Sequence, residues 1–97
     1  MRRLVLLTET IAFRDVAARL ALLLADYAER QGTPTADVIA LRLNRTQEEL
    51  SLELGTARES VGRALKQLRA RGLIRSGGRE TLLIADLSKL RAVAHGE

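Results

Sequence analysis

Three features of the 97-residue sequence predict an α+β fold of winged helix-turn-helix type, mostly helical with a small antiparallel sheet. Apolar residues recur at helical spacing between Phe13 and Gln31, two short helical segments meet at Gly55, and two short apolar runs flank a Gly77-Gly78 turn. The length allows one modest core and no second domain.

The first helix is expected over 13–31. Phe13, Val16, Ala17, Leu20, Leu23, Leu24 and Tyr27 form one buried stripe, and Leu22 faces away from it, either exposed or against a partner or a missing domain. Asp15 with Arg19 and Asp26 with Arg30 are acid-before-base pairs four residues apart on the outer side. Gly32 and Pro34 stop the helix. Val38 to Leu43 alternates in part and begins β-branched, which predicts a short strand.

Thr46 and Glu49 stand at capping-box spacing ahead of Leu50 and Leu54, so a short helix is expected to end at Gly55. Gly55 is free to take positive φ, and Thr56 is expected to cap a second helix from Ala57 to Arg71, which Gly72 terminates. Small Ser51 at the close approach and Val61 facing into the angle complete a helix-turn-helix. Leu73-Ile74-Arg75 and Thr81 to Ile84, joined by Ser76-Gly77-Gly78-Arg79, read as a hairpin wing. Asp86 is expected to cap a last helix through Ala94.

Composition excludes several function classes. The chain is 46% hydrophobic and 29% charged, a globular balance, and its longest apolar run, Leu20 to Ala25, is too short for a membrane span. Met1 to Leu7 has the basic-then-apolar order of a secretory signal, but Thr8-Glu9-Thr10 ends it too early and no cleavage site follows, so a cytoplasmic location is expected. With no cysteine and a single histidine, His95, placed in a polar tail, thiolate metal sites and histidine-assisted nucleophiles lack their parts. No paired carboxylates or phosphate loop are visible, and Gly77-Gly78 is not followed by Lys-Ser/Thr. An enzyme is not expected, nor a cofactor in this chain.

The net charge of +4 is unevenly spread. Residues 56–79 hold seven bases (Arg58, Arg63, Lys66, Arg69, Arg71, Arg75, Arg79) against one acid, Glu59, whereas 46–55 hold three acids and no base. That asymmetry points to a polyanion at one face. Phe13 and Tyr27 are the only aromatics, too few for base-stacking platforms, which favours duplex DNA over RNA or single strands.

On the second helix, Ala57, Val61, Ala64, Leu65 and Leu68 form the apolar arc, and Glu59, Gly62, Arg63 and Lys66 lie opposite with Arg58 at the edge. Arginine can donate a bidentate pair to guanine and glutamate can accept from cytosine, so Arg58, Glu59 and Arg63 are the base-reading candidates. Glu59 has a second reading, as the partner of Thr56 in a capping box. Gly62, which costs roughly 1 kcal/mol against Ala, either lets the helix sit close to DNA or serves packing.

The run Thr46-Gln47-Glu48-Glu49-Leu50 and the run from Leu54-Gly55-Thr56-Ala57-Arg58-Glu59-Ser60 through Val61-Gly62-Arg63-Ala64-Leu65 resemble the helix-turn-helix of the Crp/Fnr family of bacterial transcription regulators. Phe13-Arg14-Asp15-Val16 with Arg19-Leu20 is similar to that family's junction between dimerisation helix and DNA-binding domain. The resemblance covers nearly the whole chain, and carrying Arg58 places it nearer the Crp branch. It implies that Arg58, Glu59 and Arg63 read TGTGA-type half-sites of a palindrome, and that Thr46, Gln47, Thr56, Ser60, Lys66 and wing Arg79 contact phosphates. Two departures weaken or move such contacts: Ala57 stands where serine is common, and Gln47 where arginine is frequent. The family's N-terminal effector domain has no counterpart here. Residues 1–12, with Leu4, Leu7 and Ile11 on one helical face, would be the stub of the dimerisation helix ahead of a DNA-binding domain over 13–97. The resemblance further implies a homodimeric parent and RNA polymerase as a partner. The alternative, a winged helix that docks on protein without specific DNA binding, requires an apolar or mixed outer face where this chain has Arg58, Arg63 and Lys66.

Overall fold

The computed structural model describes the backbone of residues 2–35, 37–78 and 80–96, and among these the side chains from Val16 onward. Its elements run α1 (Arg2–Gln31), β1 (Thr33–Pro34), β2 (Ile39–Arg42), α2 (Gln47–Leu54), α3 (Arg58–Ala70), β3 (Ile74–Ser76), β4 (Thr81–Ile84) and α4 (Leu87–Ala94). This is the expected winged helix-turn-helix with two additions. The helix expected from residue 13 is the C-terminal part of a longer one that starts at Arg2. The two-residue strand β1 pairs with β2, Thr33 opposite Ala40 and Pro34 opposite Ile39, placing the proline on a sheet edge where its missing N–H does no harm.

The antiparallel sheet has the order β1-β2-β4-β3, so β2 docks on the wing hairpin, with Leu41 opposite Leu82. One face of α1 supplies much of the core: Leu20, Ala21, Leu24 and Ala25 are wholly buried, packed on α3 and α4. Leu22 is exposed, as its place on the wheel requires. Leu41, Leu50, Leu68, Ile74, Ile84 and Leu90 close the core from the sheet and the other helices.

Of the arginines expected in helix-surface ion pairs, Arg19 has a partner on another helix, and Arg30 has its partners within α1. Arg19 donates to the Leu54 carbonyl on α2. Arg30 lies over the Tyr27 ring, 5.4 Å from its centroid, and reaches the backbone carbonyl of Asp26. The side chains of Leu4, Leu7, Ile11, Phe13 and Asp15 lie outside the described residues.

Candidate nucleic-acid interface

The N-terminus of α2 is set by a reciprocal pair of hydrogen bonds. The Glu49 backbone N–H donates to the Thr46 hydroxyl, and the Thr46 N–H donates to the Glu49 carboxylate, each at 3.1 Å. That backbone bond, and next the Thr46 side chain, hold the Glu49 carboxyl below its ordinary pKa. The hydroxyl of Ser51 donates to the Glu48 carbonyl at 2.6 Å, which satisfies a buried polar group at the helix crossing.

The turn differs from expectation at one residue. Gly55 takes the left-handed conformation at φ 66°, its N–H bonds Leu52 and the Thr56 N–H bonds Ser51 at 2.9 Å, a Schellman closure of α2. The N-cap of α3 is one residue later than expected, at Ala57, which is extended and offers no side-chain acceptor. Two corrections follow. Thr56 does not cap α3, and Ala57, extended and exposed, does not belong to the buried arc. Glu59 therefore has no capping box to complete; it is the second residue of α3 and exposed.

The remaining arc of α3 is as expected, with Val61, Ala64, Leu65 and Leu68 buried. Arg58, Glu59, Arg63 and Lys66 are exposed on the opposite side, with Ser60 partly buried. The core side of the helix thus fixes which charged groups face outward. Gln47 comes to this face from α2: a Cβ placed on Gly62 would stand 3.2 Å from the Gln47 Oε1. The end of the Gln47 side chain thus lies beside the bare position at Gly62. Gln47, Ala57, Arg58, Glu59 and Gly62 line one open groove. Arg79 lies outside the described residues.

Sequence reasoning missed a polar cluster behind the interface. The Tyr27 hydroxyl donates to the Glu53 carboxylate at 2.9 Å, and Arg45 lies 3.9 Å from Glu53 and 5.8 Å from the Tyr27 ring centroid. Burial first, then the hydrogen bond to Glu53, push the Tyr27 hydroxyl pKa up. A cavity of about 190 Å³ between α2, α3 and the wing is lined in part by Arg45, Gln47, Arg69, Ser76 and Thr81. Only the position of Arg45 beside the N-cap could have signalled it. Among the described residues, no group of three or more metal-ligating side chains comes together, and no helix is long and apolar enough to cross a membrane.

The Crp-like helix-turn-helix domain matches residues 18–93. A CRP-like cAMP-activated global transcriptional regulator of Mycobacterium tuberculosis is 36% identical over 80 residues, 82% of this chain and 35% of the relative. The CO-dependent transcription factor CooA of Carboxydothermus hydrogenoformans superposes with a TM-score of 0.80 at 32% identity, over 91% of this chain and 40% of that one. A CRP/FNR-family transcriptional regulator of Thermus thermophilus does so at 0.70 and 27% identity, over 91% of this chain and 44% of that one. The chain thus spans little more than a third of the curated relative's length. With α3, the Gly55 turn and the wing in place and the match running from α1 into α4, the chain belongs to the Crp-like helix-turn-helix family, as the DNA-binding domain of a transcription regulator.

Proposed function

We propose that this domain binds duplex DNA sequence-specifically, with α3 in the major groove and Arg58, Glu59 and Arg63 reading base edges. The observation that carries this is the outer face of α3: these three side chains and Lys66 are exposed opposite a fully buried arc, so core packing itself aims them outward. Loss of the capping role leaves an exposed glutamate between two arginines, an arrangement suited to a cytosine flanked by guanines. Thr46, Thr56, Ser60, Lys66 and Arg79 would contact phosphates and fix register, a role the resemblance gives Gln47 as well.

In the intact regulator, residues 1–12 would form the stub of a dimerisation helix. A two-fold dimer would then set two α3 helices roughly 34 Å apart on a palindromic site. RNA polymerase is a further partner of that parent, which acts in the cytoplasm where its DNA lies. Ligand control would belong to the parent's effector domain. Selection of bound sites from a random duplex pool tests the reading: it should return a TGTGA-like half-site. Binding without any sequence preference would refute it.

A further inference from the structure

We infer that Gln47 reads an A·T base pair of the half-site, reaching the groove floor through the gap that Gly62 leaves in α3. This rests on the reading that the outer face of α3 enters the groove. Gly62 lies on that face, one turn after Arg58 and Glu59 and just before Arg63, and contributes no side chain of its own. The Gln47 Oε1 stands 3.2 Å from the point where a Cβ at 62 would lie, so the amide takes the place that a side chain at 62 would occupy. It shares one open groove with Arg58 and Glu59, two of the reading residues. Gln47 is exposed, and among the described residues no hydrogen bond takes up either end of its amide.

The chemistry of the group decides what it is for. A neutral amide can donate to a phosphate but releases no counterion, so the salt dependence alone would not reveal what Gln47 touches. Glutamine does present a donor and an acceptor side by side, the pattern that pairs with N6 and N7 of adenine in the major groove. The side chain from α2 therefore completes the reading surface of α3 at a pair next to those met by Arg58 and Glu59.

The test is site selection, then affinity on the selected duplex and on its single-pair variants, with the 97-residue chain and its Gln47→Ala, Gln47→Arg, Gly62→Ala and Arg63→Ala forms. Gln47→Ala should lose roughly 5- to 150-fold discrimination at one A·T pair, with the salt dependence unchanged. Gly62→Ala, whose Cβ forces the amide to give by a few tenths of an ångström, should weaken preference at that same pair. Gln47→Arg should abolish it while raising binding to all sequences and steepening the salt slope by about 1. A Gln47→Ala form that binds every sequence more weakly by one factor, or binds unchanged, overturns the inference. Arg63→Ala separates the two levels: if it relaxes its own position while Gln47→Ala changes none, only the role of Gln47 fails. If neither alters the motif, the placement of α3 fails too.

Discussion

The Arg19 guanidinium on α1 donates from Nη2 to the Leu54 carbonyl at 2.5 Å, closing the C-terminal turn of α2 from another helix. The last carbonyls of a helix lack internal partners and carry the negative end of its dipole, so a cation there satisfies both needs. Two turns further along α1, Tyr27 holds Glu53 of the same α2 turn. Arg19→Ala should lower stability by about 1.5 to 3 kcal/mol and leave base preference unchanged, which urea denaturation and site selection would show together. A loss of preference without a loss of stability would place Arg19 at the DNA instead.

Tyr27 gives the domain an alkaline limit. Its folded pKa lies above the ordinary value of 10.0, chiefly through burial. The stability it contributes is therefore fully present below that value and is lost as pH rises through the folded pKa. Melting curves across the alkaline range should show a steeper fall for the natural chain than for Tyr27→Phe. Parallel curves would mean that the hydroxyl is not the titrating group.

At the acid end the sign reverses. Glu49 is held below its ordinary value of 4.5 by the Thr46 bonds, so its contribution is present above that pH and disappears as pH falls through the folded pKa. Glu49→Gln should be less stable than the natural chain at neutral pH, and the two should converge under acid. A constant difference across that range would assign the effect to packing.

What was legible in the sequence was local. The Thr46–Glu49 box closes within four residues, and the Val61, Leu65 and Leu68 arc follows from helical period, so both could be read directly. Thr56 misled because capping residues are read by type, whereas the start of α3 falls one residue later, at Ala57, whose side chain cannot cap. The bond from Arg19 to the Leu54 carbonyl crosses 35 residues to α2 and has no local signature, whereas Arg30 stays with Tyr27 and Asp26 of its own helix. Thr33–Pro34 carries no strand pattern and is a strand only through its pairing with β2. The approach of Gln47 to Gly62 joins residues on different helices and has no sequence signature.

Glu59 distinguishes reading from charge. Because Ala57 and not Thr56 caps α3, Glu59→Ala should change stability by no more than about 0.5 kcal/mol, the ordinary range for a surface site. It removes an acid from an anion-facing surface, so binding to unrelated duplex should hold or rise while discrimination at one base pair falls. Stability together with motif, measured on that one form, checks both; a destabilised form with an unchanged motif would restore a structural role.

The most direct test of α3 as the reading element is the base preference of Arg63→Ala beside that of the natural chain. A bidentate guanine contact should be lost while phosphate contacts remain. Binding to the selected site should then weaken by about 1 to 3 kcal/mol, and preference should relax at one position of the half-site. An identical selected motif for the two proteins, with affinity reduced equally on every sequence, would contradict it and reduce Arg63 to a charge near the backbone.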